Sequence, residues 1–490
     1  MCTILSCNNE ADKALKEGEQ LAHTYCASCH AFPNPSLLDK TSWSTVFPEM
    51  GQLMNVEKYH NNFTKNTSAK DLKKPPVQDL FPNEKWEKIY QYYIASAPLN
   101  PVPRQNKLSS IITGLKFFTA HFVSNKFSNP VTTLVQIDTA KKKVWFADGG
   151  ANKAFMLNSS FQTADSLTVL TGTVTRNDIN NETSFLSMGT LKPSDEKLGK
   201  LSVVKNKKTQ LIIDSLRRPV HITYADLNND GQQDMVICEF GFREGGLSWY
   251  ENTGNHQFRK HVLRPITGAI RSEVYDLNKD GKPDIIAMMA QGDEGVFIYY
   301  NEGNGKFREE RILQFPPVYG SIYFQLVDYN RDGFMDVLTV NGDNADYSLS
   351  LKAYHGIRIF LNNGKNKFEE KLFLPVYGVQ KAVPVDLDND GDLDIASIAF
   401  FPDYKNNPEE SFIYWENNGD NTSIRYTFET CNAGRWMTMD VGDMDGDGDK
   451  DIILGSASFS FGDVPGKIKQ GWDKKPLSVV ILENTLVQKK

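Results

Sequence analysis

One nine-residue pattern, Asp-x-Asn/Asp-x-Asp-Gly-x-x-Asp, recurs five times in this 490-residue chain and restricts its fold more than any other feature. The copies begin at Asp226, Asp276, Asp328, Asp386 and Asp443, so the pattern returns every 50 to 58 residues. A period of that size marks a solenoid or a closed ring of similar units rather than a string of independent domains. Oxygen-bearing side chains stand at positions one, three, five and nine, and the glycine at six permits a sharp turn. Such a set suits a hard divalent cation such as Ca²⁺, which takes six to eight oxygen ligands.

The expected ligands are Asp226, Asn228, Asp230 and Asp234 in the first loop, and Asp276, Asn278, Asp280 and Asp284 in the second. The third offers Asp328, Asn330, Asp332 and Asp336, the fourth Asp386, Asp388, Asp390 and Asp394, and the fifth Asp443, Asp445, Asp447 and Asp451. The carbonyl of position seven (Gln232, Lys282, Phe334, Asp392, Asp449) is expected to add one more oxygen. Loops four and five carry aspartate where the others carry asparagine at position three, so they should bind more tightly. No helix pattern flanks the loops, which argues against a helix-switching role.

Short β-rich runs follow each loop, at 235–237, 285–286, 337–338, 395–396 and 452–454. A second run ends in Asn252, Asn301, Asn362 or Asn417 with glycine two residues on, read as turn residues that tolerate positive φ. A third begins at Phe258, Phe307 or Phe368. The strand pair returns without the aspartate loop at 155–157 and 201–204, and once more at 479–484. Seven copies predict an all-β, seven-bladed propeller over residues 109–490, with residues 111–123 completing the last blade so that no edge is left open. These units resemble FG-GAP/VCBS repeats, the calcium-loop blades also seen in integrin α-chain heads. The resemblance implies cations in five blades and none in the two that lack the loop.

A different signature lies near the amino end: Cys26-Ala27-Ser28-Cys29-His30. Cys-x-x-Cys-His is the attachment pattern of a c-type haem, with two thioether links and a histidine on the iron. Zinc would need two more ligands nearby, and the next cysteine is Cys238. A redox Cys pair would want a βαβ setting, whereas residues 10–98 read as helices. Leu15, Gly18, Leu21, Ala22 and Tyr25 recur at helical spacing, and Trp86, Ile89, Tyr90, Tyr93 and Ile94 form a second stripe opened by Asn83 as N-cap. Gly18 would let the two helices approach closely. The arrangement resembles a class I cytochrome c domain over residues 10–98, which implies a small all-α fold, one covalent haem c and electron transfer. Met50, in the stretch from Trp43, is the expected sixth ligand, with Met54 and His60 behind it.

Residues 99–108 are proline-rich and polar, a linker. Residues 1–9 contain Ile4-Leu5-Ser6-Cys7, which resembles the end of a bacterial lipoprotein signal. With haem attachment occurring outside the cytoplasm, the expectation is an extracytoplasmic, cell-envelope location (periplasm or outer membrane) and membrane contact through a lipid anchor alone. The net charge of −7 is mild and no Lys/Arg block suggests nucleic acid. Cys238 and Cys431 read as buried free thiols.

Five to eight residues before each aspartate loop lie the innermost strands of the propeller. Arg218, His221, Arg271, Lys381 and Arg435, with Tyr323 and Glu273 among them, are expected near the central channel as a pocket for an anionic or carbohydrate ligand. The polar insert from Asn341 to Gly356 reads as a functional loop. No catalytic triad, zinc helix or dinucleotide loop names a reaction. Three functions stay open: an electron carrier with a redox partner protein and the propeller as binding platform, a haem-coupled oxidoreductase with its substrate in the channel, and an adhesion protein with an accessory haem.

Overall fold

The computed structural model describes residues 3–59, 80–104, 108–123, 129–179, 182–344, 348–419, 423–458 and 462–487. The chain divides into two compact units, one of Met1–Gln105 with Pro316–Val318 and Asn344–Ala353, the other of Asn106–Phe315, Tyr319–Asp343 and Tyr354–Lys490.

The first unit holds α1 (Thr3–Tyr25), α2 (Lys40–Leu53) and α3 (Asn83–Ser96). Helix α1 runs back to Thr3, so Cys7 lies within it rather than in a separate tail. Asp39 starts α2, its carboxylate accepting the Ser42 N–H at 2.9 Å and the Ser42 hydroxyl at 2.7 Å. Asn83 is not the cap of α3: Pro82 holds that position, and Asn83 Oδ1 accepts the Lys58 N–H at 2.9 Å. The apolar faces of α2 and α3 meet through Trp43, Val46, Phe47, Trp86, Ile89 and Tyr93, all buried. Ring pairs such as Trp43–Tyr93 at 4.5 Å and Phe47–Trp86 at 5.1 Å fill this core.

Gly18 does what its position suggests. A Cβ there would sit 2.4 Å from the Lys88 carbonyl and 2.9 Å from Tyr92 Cβ, so α1 and α3 cross only because the side chain is missing. Gly18→Ala should therefore destabilise this unit by about 1–3 kcal/mol, the usual cost of overpacking, seen as an earlier helical transition in thermal unfolding. Part of the polar insert, Asn344–Ala353, groups with the helices, and Ser348 Oγ lies 2.8 Å from Ser42 Oγ.

The second unit is seven sheets. Blades one to seven span 132–168, 173–216, 219–264, 269–314, 321–375, 379–427 and 436–484. Their innermost strands neighbour one another in a ring, the seventh against the first. The central strand of each blade is sandwiched between layers; Asp284–Met289 is buried at every position. The predicted closing segment splits in two. Phe118–Val123 pairs antiparallel with Val479–Asn484 and completes blade seven, as the repeat count required. Ile111–Thr113 instead joins blade six, parallel to Ser423–Thr427. The reversal between them falls where Gly114 and Phe117 take φ of 107° and 63°. A short helix α4 (Gly466–Lys474) interrupts blade seven.

All seven innermost strands share one irregularity: the register shifts between the first residue and the third. A bulge re-aims the side chain beside it. Among the described residues no helix is long and apolar enough to cross a membrane.

Candidate functional site

The five aspartate loops share one conformation. Position four (Asn229, Lys279, Arg331, Asn389, Gly446) and the glycine at six are both left-handed, with φ from 57° to 81° and from 82° to 107°. This winding turns backbone N–H groups inward onto the carboxylates. In the first loop Asp226 accepts from Asp230 N at 3.1 Å and Gly231 N at 2.8 Å, and Asp230 Oδ1 accepts from Gln232 N at 2.8 Å. Lys282, Phe334, Asp392 and Asp449 make the same position-seven bond to Asp280, Asp332, Asp390 and Asp447. Asn278 and Asn330 likewise take the N–H of position five.

Loops four and five go further. Oxygens of Asp386, Asp388 and Asp394, and of Asp443, Asp445 and Asp447, lie within 4.8 Å of one another. Asp386 Oδ1 and Asp392 Oδ1 in the fourth loop, and Asp449 Oδ1 in the fifth, are buried without a hydrogen-bond donor. Burial, then repulsion by neighbouring carboxylates, pushes Asp394 and Asp451 up to about 7; burial also leads the rise of Asp447, to about 6. Clustered, donor-less oxygens of this sort fit a divalent cation, which would reverse those shifts.

Position nine has a second task. Asp284 accepts the Leu277 N–H at 3.0 Å on one oxygen and the Asn301 N–H at 2.9 Å on the other, and Asp234, Asp336, Asp394 and Asp451 repeat this with Asn252, Asn362, Asn417 and Asn484. These aspartates tie the loop to the second strand. The asparagines do not take the positive φ assigned to them from sequence; the glycines after them do. Their side-chain amides are hydrogen-bonded instead: Asn301 Nδ2 donates to Pro283 O at 3.1 Å and to Leu227 O of the neighbouring blade at 2.8 Å. Asp284→Ala should thus leave two buried N–H groups unmet and destabilise the propeller by about 2–6 kcal/mol, measured by urea unfolding with the cation saturating.

In the helical unit, α1 ends in a 3₁₀ turn at Cys26–Ser28. Cys26 and Cys29 are free thiols, half-buried and exposed respectively. Burial raises the Cys26 thiol to about 11. His30 Nδ1 lies 2.9 Å from the Ala31 carbonyl. A carbonyl only accepts, so Nδ1 carries the proton and the neutral ring's lone pair is on Nε2. This set fits an iron porphyrin. Met50 and Met54, on and just after α2, are both half-buried. His60 lies outside the described residues.

On the propeller axis the predicted cations separate. His221, Arg271, Tyr323 and Lys381, each five residues before its loop, come together beside the bulges. Arg271 Nη1 is 3.3 Å from His221 Nε2, and Tyr323 lies under both Arg271 (4.6 Å) and Lys381 (5.2 Å). Arg218 and Arg435, eight before their loops, do not join them. Arg218 stacks on Phe240 and donates to Gly241 O at 2.5 Å; Arg435 is buried against Phe400 and Phe401. Nor is the cluster an excess of positive charge. Arg271 pairs with Glu273 at 3.0 Å, whose other oxygen accepts the Leu326 N–H. Lys381 donates to Met439 O at 2.7 Å, and burial lowers it to about 8, with half-buried Asp440 opposing that fall. Burial, then Arg271 and Lys381, keep His221 neutral. Asp440, absent from the sequence reading, sits two residues beyond the bulge of blade seven.

The FG-GAP-like repeat family matches residues 226–287, 276–339, 340–397 and 386–454. No curated protein matches the sequence. Among solved structures, BBS1N in complex with ARL6DN is similar at 9% identity, covering 76% of this chain and 99% of that one with a TM-score of 0.43. A virginiamycin B lyase from Staphylococcus aureus is similar at 12% identity, covering 64% and 89% with a TM-score of 0.40. A streptogramin B lyase is similar at 13% identity, covering 75% and 97% with a TM-score of 0.46. Residues 226–454 are thus a run of FG-GAP-like repeats set within a seven-bladed β-propeller.

Proposed function

We propose that this chain is an extracytoplasmic c-type haem protein that carries electrons to or from a redox partner protein, with its propeller as a Ca²⁺-pinned binding platform. The observation that carries this reading is Cys26-x-x-Cys29-His30 at the end of α1, with both thiols unpaired and the His30 Nδ1–H already used on a carbonyl. A porphyrin iron bound there supplies one-electron redox chemistry. Cys26 and Cys29 would hold the porphyrin covalently through thioether links. His30 and Met50 would be the side chains that ligate the iron. The loops from Asp226 to Asp451 would hold Ca²⁺ as a staple between strands. Export follows from where such haems are attached, and acylation at Cys7 would supply the membrane anchor.

The test is maturation in a host that attaches c-type haem. The protein should be coloured and heavier than its polypeptide by one haem, and Cys26→Ser with Cys29→Ser should be colourless at the bare mass. A colourless wild type in that host overturns the proposal. The polar axial cavity favours one further reading, an oxidoreductase that passes electrons from a substrate to the haem. Substrate-dependent haem reduction that Arg271→Ala abolishes would distinguish it.

A further inference from the structure

The five aspartate loops satisfy their own oxygens in two different ways. Loops one to three supply donors from within. Asn228 Nδ2 donates to Asp230 Oδ2 at 3.1 Å and Asn330 Nδ2 to Asp332 Oδ2 at 2.9 Å, position three closing on position five. In loop two an ammonium does this, Lys282 Nζ lying 3.3 Å from Asp280 Oδ2. In all three the first aspartate also takes the N–H of position five on Oδ1, at 3.0 to 3.1 Å. Loops four and five carry aspartate at both position three and position seven, so neither side chain has an amide or ammonium to give. Each of these loops holds five carboxylates where the others hold three.

We propose that loops four and five form a separate, tighter class of Ca²⁺ site, in which the side chain of position seven, Asp392 or Asp449, is a ligand in its own right. This rests on reading the loops as cation sites, and adds to them a side chain that the repeat pattern does not assign. Elsewhere position seven is Gln232, Lys282 or Phe334.

The state of the two side chains is the reason. Asp449 is wholly buried; its Oδ2 takes the Val487 N–H at 3.0 Å, while its Oδ1 meets no donor among the described residues. Asp392 Oδ1 is buried in the same condition. Asp390, Asp388 and Asp386 act on the charge of Asp392, and Asp449 on that of Asp447, so both side chains stand against their own loops. A carboxylate oxygen drawn out of water and given no donor is costly unless a cation completes it. Position one of loop four changes in step: Asp386 Oδ1 has no donor, although its counterparts in loops one to three take the N–H of position five. In loop three, by contrast, the Phe334 ring lies 4.5 Å from Lys279 Nζ and has no oxygen to offer. Affinity for Ca²⁺ is set by the number of charged ligands and the rigidity of the loop.

Titration of the full-length, chelator-stripped protein with Ca²⁺ against a chromophoric chelator tests this. Two sites should fill first, and three should need at least about tenfold more Ca²⁺. Asp392→Ala and Asp449→Ala keep the position-seven carbonyl, yet each should move one site from the tight group to the weak one. Asp392 is only half-buried, so its variant carries the test should Asp449→Ala fail to fold. Glu416, outside the loop and paired with Lys116 at 3.1 Å, acts on Asp388 by charge alone, and Glu416→Gln should shift the tight sites by less than about threefold. Tb³⁺ gives a second readout. The Tyr414 hydroxyl donates to Asp394 at 3.1 Å, so exciting tyrosine should light Tb³⁺ in loop four, and Asp392→Ala should dim that emission where Asp449→Ala does not. Five sites of equal affinity, a tight pair that neither alanine variant moves, an equal shift with Glu416→Gln, or Tb³⁺ emission that Asp392→Ala leaves unchanged would each overturn the proposal while leaving the loops as cation sites. No uptake of Ca²⁺ at all would overturn both.

Discussion

Chelating divalent cations should lower the melting temperature of the full-length protein by about 10 °C or more, and Ca²⁺ should restore it where Mg²⁺ does not. The loops place donor-less carboxylate oxygens at Asp386, Asp392 and Asp449, and each filled site stabilises by about 2.7 kcal/mol when the ion is at a hundred times its dissociation constant. Three or more such sites, about 8 kcal/mol together, move a domain of this size by that many degrees. Mg²⁺ fails because it demands a small octahedral shell and dehydrates reluctantly. The loss should also be uneven. Blades one and two have no such loop; Asp138 and Asp178 there are neutralised by Lys141 and Arg176, cations the chain supplies itself. Amide hydrogen exchange after chelation should therefore rise in blades three to seven and stay low in the first two. Uniform exchange, or a melting temperature that chelation leaves alone, would mean that the loops are only turns.

The second large effect is a dependence on pH centred on Glu294. This side chain is buried in blade four, its Oε2 taking the Ser321 N–H at 3.0 Å and the Ser321 hydroxyl at 2.7 Å. Burial raises it to about 8, against an ordinary 4.5, with Asp343 adding to the rise. The folded state thus holds a proton between about pH 4.5 and 8 that the unfolded chain has released. Its contribution to stability is whole below about pH 4.5 and is lost as pH rises to 8, at about 1.4 kcal/mol per unit, or on the order of 5 kcal/mol in all. His221, held neutral, acts with the opposite sign below its ordinary value, so the comparison must be between wild type and Glu294→Gln. With Ca²⁺ saturating, urea unfolding of the two should differ in slope across pH 5 to 8.5, the wild type falling more steeply. Parallel curves would show that Glu294 is ionised throughout.

The sequence carried the architecture further than the sites. Five aspartate loops fix a register, and once Phe155, Leu201 and Val479 are seen to open similar strand pairs, the blade number and the need for an early closing strand both follow. What spacing could not show was which side a residue faces near a bulge. Arg218 and His221 are three positions apart in one stretch, yet only the second reaches the axis, because the register shifts between them. Asp440 escaped notice for a related reason: it reads as an ordinary polar residue until alternation places it opposite Lys381. The asparagines after the second strand were legible as turn markers but not as hydrogen-bond hubs, since their partners, Leu227 O for Asn301 and Leu387 O for Asn484, belong to neighbouring blades.

The strand Phe118–Val123 has a consequence for how the chain is made. It leaves the ribosome early, but its partner Val479–Asn484 comes far later: His121 and Glu483 meet across 362 positions. Throughout that interval six blades can form in order of synthesis while an unpaired strand waits beside them, free to pair with the wrong edge or with another chain. Circular permutation that moves this strand to the carboxyl end, after residue 484, should speed refolding and reduce aggregation without altering the finished ring.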